Sequence, residues 1–365
     1  MSKKKIIILN DHPTNSGLGR YAQTIFNYFG NDNELDLKLY SLAFGYGYAV
    51  NSYPGMVLHN PLDVKLRSML PFVRKIPDLS HYIQSRFLNR FLSQSDEYID
   101  DIRDSILHYA NPGIFPFQID DRSIVTIHDL IFLKYHGLRH FIGDSNNKRY
   151  INSYRKIPYV LTFTNYVKKE LEAFGFDSVV RNILPSVSES FHPLEEEKKK
   201  LRMKHGLPEN KFLLLSVSTN RPGKNLRVIK ETMDVLGDNY KLVRVGSPVG
   251  DSINFKHVTD RILNELYNAS DALIFPSIEE GLGYPVIEAF ATGLPVVASN
   301  IEVMKEVCNG SAILEEPVPS KMAESVKSVE ANSNIFRKLS LERSKLFRMN
   351  KFTEEMKKFY TQINK

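Results

Sequence analysis

Short apolar runs alternate with stretches of helical periodicity in both halves of the chain. KIIIL (5–9) reads as a strand, followed by a polar, Gly-containing loop and a helix from about Arg20 to Phe29. RSIVTIHDL (122–130) and PYVLTFT (158–164) read as further strands, NYVKKELEAFG as a helix closed by Gly175, and RNILP (181–185) as another short strand. A second series begins at KFLLLSVS (211–218). It continues with a helix after Lys224, then YKLVRVG (240–246), DALIFPS (271–277), a helix over 285–292 and LPVVAS (294–299). Between the two series lies a charged, Pro-punctuated stretch with the run EEEKKK, which puts a linker near 186–196. Repeated βα units of this kind predict an α/β protein with two doubly wound, Rossmann-like domains facing one another. The expected boundaries are 1–188 for the first domain, 189–350 for the second, and 351–365 for a terminal helix returning to the first. Ligands of such sheets sit beyond the carboxyl ends of the strands, so the interdomain cleft is the expected site.

Length agrees with two domains, because 365 residues exceed what one core usually supports. Apolar content of 42% and charged content of 25% are those of an ordinary globular protein. The single cysteine, Cys308, excludes an intramolecular disulfide and suits a reducing compartment. The apolar run Ile6 to Leu9 is too short for a signal-peptide core, and no stretch approaches the roughly 18 apolar residues of a membrane span. A cytoplasmic protein is expected. The net charge of +6 suits an anionic partner such as a phosphorylated ligand, an acidic membrane surface or nucleic acid, or else an ordinary basic protein. Its basic residues are scattered, with no helix-turn-helix or stacking platform, so nucleic acid is not the expected partner.

The chemistry concentrates in EEGLGYPVIEAFATGLPVVAS (279–299). A loop leaves the carboxyl end of DALIFPS, Pro285 suits the first helical position, and the helix stops at Gly293 with Pro295 beyond. Amides of Gly283, Tyr284 and the first turn then form a seat for an anion, and Gly281 and Gly283 let a ligand approach the backbone. Glu280 on the loop and Glu288 in the helix cannot bind phosphate, but they can accept hydrogen bonds from hydroxyls. Taken singly, each glutamate also reads as a solvated or dipole-favoured surface acid. Together with the glycines they suggest a nucleotide joined to a second polyol.

This stretch closely resembles the E-x7-E segment of the family-4 retaining glycosyltransferases, which have the GT-B fold; it differs at Leu282 and Ile287, apolar for apolar. LSVSTNRPGKNLRVI (215–229) resembles the same family's R-x-x-K-N segment, where Arg221 and Lys224 at a strand exit suit a diphosphate. VTIHDL resembles its strand ending in a histidine that touches donor sugar and phosphate, which makes His128 a candidate, with Asp129 orienting it or capping the next turn. NSGLGRYAQTIFNYF resembles its glycine loop, with Gly17 and Gly19 facing the donor phosphate. FKHVTDRILNELYNASD resembles its base-side segment, with Val258 and Thr259 as contacts. Where the family has an Asn-Gly-Val-Asp turn, this chain has Pro185-Ser186-Val187-Ser188.

The resemblance implies transfer of a sugar from a nucleoside-diphosphate sugar to a hydroxyl of a glycan or lipid-linked glycan, with retention. Arg221, Lys224 and the amides near Gly283 would stabilise the leaving diphosphate. Glu288 would hold the ribose, Glu280 the sugar hydroxyls and the oxocarbenium-like centre, and His128 the sugar and phosphate. No Asp-x-Asp pair or His/Cys cluster has convincing metal spacing, so neither a metal nor a cofactor is expected. Residues 63–91 carry six cations against two acids, interleaved with apolar residues, and fit a peripheral membrane contact or an ordinary packed helix. The alternatives are a sugar-nucleotide epimerase or glycan phosphorylase of the same fold, or a non-catalytic protein binding an anionic surface.

Overall fold

The computed structural model describes residues 3–12, 17–42, 55–58, 102, 104–113, 116, 118–133, 151–256 and 258–363. The basic stretch 63–91 lies outside them. Two compact units are present: Met1–Ile183 with Thr353–Lys365, and Leu184–Phe352.

The first unit is built on a seven-stranded parallel sheet of β1 (Lys4–Asn10), β2 (Leu35–Leu42), β3 (Met56–Leu58), β4 (Ile106–Tyr109), β5 (Ile124–Thr126), β6 (Tyr159–Thr162) and β7 (Val179–Asn182). Its strand order is β3-β2-β1-β4-β5-β6-β7. Ile6 to Leu9 are all buried, as a parallel strand covered on both faces requires, which is why the strand reads as an unbroken apolar run. The helix α1 (Gly17–Phe29) begins earlier than its apolar pattern predicts, so Gly17 and Gly19 lie in its first turn rather than in the loop before it. α2 (Asn165–Ala173) is capped by Thr164, whose side chain accepts from the Val167 amide at 3.3 Å. It stops where Gly175 takes a φ of +85°.

The second unit holds a six-stranded parallel sheet of β8 (Phe212–Val217), β9 (Tyr240–Val245), β10 (Ile253–Phe255), β11 (Ala272–Phe275), β12 (Val296–Ser299) and β13 (Ile313–Glu315), in the order β10-β9-β8-β11-β12-β13. Its helices are α3 (Lys198–Lys204), α4 (Leu226–Leu236), α5 (Asp260–Ala269), α6 (Tyr284–Thr292), α7 (Glu302–Cys308), α8 (Pro319–Ala331) and α9 (Ser333–Ser344). Inside the charged stretch, α3 forms because Leu201 and Arg202 are buried. Arg202 donates to the carbonyls of Ala269, Glu209 and Lys211 and pairs with Asp271 at 2.5 Å. A core of Leu214, Ile229, Leu242, Ile274, Val297, Met322 and Val326 joins the sheet to α4 and α8. Each such side chain contributes about 1.5–3 kcal/mol by leaving water.

The last helix, α10 (Met349–Gln362), hands the chain back to the first unit from Thr353 onward. Lys4 of β1 donates to the carbonyls of Tyr360, Thr361 and Ile363, satisfying acceptors that the helix end leaves open. Lys357 pairs with Asp32 at 3.0 Å, and the buried Tyr360 hydroxyl pairs with His108 Nδ1 at 2.7 Å.

Candidate active site

In each sheet the strand order reverses once, between β8 and β11 and between β1 and β4. A reversal leaves the loops of two adjacent strands diverging to opposite faces, and the crevice between them is where a doubly wound sheet takes its ligand.

In the second unit the two loops at the reversal are tied together. The Ile278 amide donates to the Gly223 carbonyl at 2.9 Å. Lys224 Nζ pairs with Glu280 Oε1 at 2.5 Å and lies 5.7 Å from the centre of the Phe275 ring. Sequence reasoning names Lys224 and Glu280 separately, one for an anion and one for hydroxyls; the structure makes them one ion pair. Arg221 is exposed at the start of the 3-10 turn Pro222–Lys224. That turn ends at Asn225 with a φ of +53°, a left-handed conformation that asparagine tolerates.

Gly283, not Pro285, sets the start of α6. It has a φ of +87°, and a Cβ added there would lie 2.9 Å from Met304 Cε, so glycine is needed both for conformation and for space. Tyr284 is then the first helical residue and Pro285 the second, where its missing N–H still costs nothing. Glu288 is buried one turn on, and its Oε2 accepts from the Tyr267 hydroxyl at 2.8 Å. Tyr267 belongs to α5, so that helix fixes the carboxylate. At the other end of α5 the Thr259 hydroxyl caps the helix by accepting from the Ile262 amide, with Val258 half-buried before it. Thr259 thus has a local structural task at the start of α5.

In the first unit the exits of β1, β4 and β5 gather Asp11, His12, Asn111 and His128. Asp11 is buried and its Oδ1 lies 2.6 Å from His12 Nδ1. A Cβ on Gly113 would fall 2.6 Å from Asp11 Oδ2 and 2.9 Å from Asn111 Oδ1, so these polar groups pack against bare backbone. His128 Nε2 lies 2.9 Å from the Ala110 carbonyl. A carbonyl only accepts, so Nε2 carries the proton and Nδ1 presents a lone pair. Burial pulls His128 down to about 4, against the Ala110 hydrogen bond and aided by nearby His12. The ring is therefore neutral at neutral pH and offers a hydroxyl an acceptor. Tyr21 of α1 packs edge-on against it, the ring centres 5.1 Å apart. Of the two tasks expected of Asp129, the capping one is seen: its Oδ1 accepts from the Ile131 amide at 3.0 Å, at the start of the 3-10 turn Ile131–Leu133. Behind these residues His108 is fully buried between Tyr360 and the Thr126 hydroxyl, each 2.7 Å away, and burial pushes it down to about 3.

Three groups escape sequence reasoning. Tyr267 lies on the buried stripe of an amphipathic helix, Arg244 sits inside an apolar strand pattern, and the Asp11–His12 pair leaves β1 with no motif around it. Only the Asp11–His12 pair carries a signal, its place at the exit of β1 beside the reversal of strand order. Among the described residues no group of three or more His, Cys, Asp or Glu side chains is placed to hold a metal ion. Among them too, no helix is long and apolar enough to cross a membrane.

Comparison with known proteins bears on this geometry. Residues 197–345, most of the second unit, match the family model for glycosyl transferases group 1. Over 308 residues the chain is 27% identical to the O-antigen chain mannosyltransferase RfbU of Salmonella typhimurium, covering 78% of this chain and 77% of that one. Among solved structures it resembles a sucrose-phosphate synthase from Thermosynechococcus elongatus, with a TM-score of 0.76 at 17% identity over 99% of both chains. It also resembles Anabaena HepE in complex with UDP and glucose, with a TM-score of 0.72 at 14% identity over 98% of this chain and 99% of that one. The two Rossmann-like units are those of the GT-B fold, residues 197–345 are a glycosyltransferase group 1 domain, and the chain is a transferase enzyme.

Proposed function

We propose that this GT-B glycosyltransferase moves a hexosyl group from a nucleoside-diphosphate sugar to a hydroxyl of a glycan or lipid-linked glycan, with retention, as the family-4 enzymes do. The observation that carries the reading is the tie between the β8 and β11 exits through Lys224 and Glu280, at the reversal of strand order and beside the N-terminus of α6. Departure of a diphosphate needs charge stabilisation more than a strong acid. Arg221, Lys224 and the amides at Gly283 and Tyr284 supply it, with the helix dipole behind them. Glu288, already oriented by Tyr267, accepts from the ribose hydroxyls. Glu280 holds Lys224 in place and accepts from sugar hydroxyls. His128, neutral and with Nδ1 bare, accepts from a sugar hydroxyl rather than neutralising phosphate. Gly17 and Gly19 lend first-turn amides of α1 to the donor, and Val258 and Thr259 flank the base. Protein cations take the part that a metal plays elsewhere, so neither a metal nor a cofactor is needed. Similarity to a mannosyltransferase puts mannosyl first among the sugars to try. A cytoplasmic location, at the membrane periphery when the acceptor is lipid-linked, belongs to the same proposal.

The test is thermal stabilisation by UDP, GDP and ADP and their hexose conjugates, with EDTA present. A ligand that binds only the folded state raises Tm. One diphosphate should do so, its sugar conjugate should do so further, and Glu288→Ala should abolish the shift while the apo protein still unfolds cooperatively. Absence of any diphosphate shift, alongside a shift with polyanions or anionic vesicles, refutes the reading in favour of a surface-binding protein.

A further inference from the structure

Arg244 is the second-last residue of β9 and pairs in register with Ser216 of β8. It is fully buried. Its Nη1 donates to the carbonyls of Ser216 at 3.0 Å and Val245 at 2.7 Å, and its Nη2 donates to the Ser218 carbonyl at 2.6 Å and hydroxyl at 3.1 Å. Nε has no partner among the described residues, and none of these partners is a carboxylate. The other buried arginine among the described residues, Arg202, has Asp271. Carbonyl dipoles orient a guanidinium but leave its charge uncancelled, and holding an uncancelled charge away from water is costly. Gly246 completes the arrangement. It has a φ of +132°, and a Cβ there would lie 2.2 Å from the Ser218 carbonyl oxygen and 3.0 Å from Arg244 Nη2. The chain leaves out a side chain at the point where Ser218 meets the guanidinium.

Ser218 begins the loop that carries Arg221 and Lys224. Lys224 can still donate to a phosphate oxygen, but Glu280 beside it offsets its charge, so the pair adds no net charge to the seat. We infer that Arg244 is a positioning residue of the diphosphate seat: it clamps the start of the β8-exit loop through Ser218 and supplies, from beneath, the positive charge that the Lys224–Glu280 pair cancels. This rests on the diphosphate reading above. It makes the seat selective for polyanionic ligands through a side chain that no ligand touches.

The test measures dissociation constants of UDP, GDP and ADP and of uridine, guanosine and adenosine, for wild type, Arg221→Ala, Arg244→Gln and Arg244→Lys. A unit charge at the distance of a neighbouring loop, in a protein-like dielectric, is worth about tenfold in affinity for an anion. Arg244→Gln should weaken the tightest diphosphate by about that factor while its uncharged nucleoside binds as before, because a neutral ligand does not feel the lost charge. Arg244→Lys keeps the charge and should recover most of the loss. Equal weakening of nucleoside and diphosphate, or no weakening of either, overturns the inference. If Arg244→Gln does not fold, Arg244→Lys decides. Retained preference for diphosphate over nucleoside supports the inference, and a loss of that preference with the charge still present overturns it. Weakening by Arg221→Ala without weakening by Arg244→Gln sinks this inference alone; failure of wild type to bind any diphosphate sinks it together with the functional reading.

Discussion

Lowering the pH should destabilise the first unit through two buried histidines, and the size of the effect is set by their surroundings. Free histidine titrates near 6.5. Burial holds His128 at about 4 and His108 at about 3. Both folded values lie below the unfolded one, so the neutral forms are the ones the fold favours. As the pH falls below about 6.5 the unfolded chain takes up protons that the folded chain refuses, and stability declines with each unit of pH until the folded values are reached. Between about pH 7.5 and about pH 5, each histidine removes about 2 kcal/mol, or about 4 kcal/mol together. That is a large part of the stability of an ordinary domain. Urea unfolding at the two pH values, read on the first unit's transition, gives the wild-type loss. His108→Gln keeps a partner for Tyr360 and Thr126, and His128→Asn keeps a donor for Ala110, while neither titrates. Each variant should lose about 2 kcal/mol less than wild type over this interval, whatever its stability at about pH 7.5. Variants that lose as much as wild type would refute the argument, because the acid sensitivity would then arise elsewhere.

Two further outcomes concern the second unit. Tyr267→Phe removes the hydroxyl that donates to the buried Glu288 and should lower unfolding stability by about 0.5–1.5 kcal/mol; an unchanged urea midpoint would show that the Glu288 side chain does not depend on it. Gly283→Ala adds left-handed strain of about 1–2 kcal/mol and pushes on Met304, so both Tm and diphosphate affinity should fall; an unchanged Tm would show that the position does not require glycine.

The α/β class and the two doubly wound domains are legible in the sequence because buried parallel strands leave unbroken apolar runs, as Ile6 to Leu9 and Ala272 to Phe275 do. The stretch around Glu280 and Glu288 is legible because glycine, proline and acid fall where a strand exit and a helix start demand them. Pairings are not legible. Nothing in the order of residues says that Lys224 meets Glu280 56 positions away, or that Tyr267 meets Glu288 from another helix. Helix starts shift for the same reason: tertiary packing draws Gly17 and Gly19 into α1, and the left-handed Gly283 puts Tyr284 ahead of Pro285. Arg244 is the hardest case, since a charge inside YKLVRVG looks like an edge residue until the carbonyls around it are seen.

The return of the last helix to the first unit sets an order of events during synthesis. The second unit is one continuous stretch of chain, Leu184–Phe352, and every residue it needs has left the ribosome before the end of α10 does. The first unit, although made before the second, waits for the α10 segment. Until residue 360 emerges, His108 Nδ1 has no Tyr360 hydroxyl, and the edge of Phe29 lacks the ring that packs against it. Lys4 finds its carbonyl partners 356, 357 and 359 positions further along the chain. The younger unit is therefore complete before the older one, which closes only when the α10 segment has emerged.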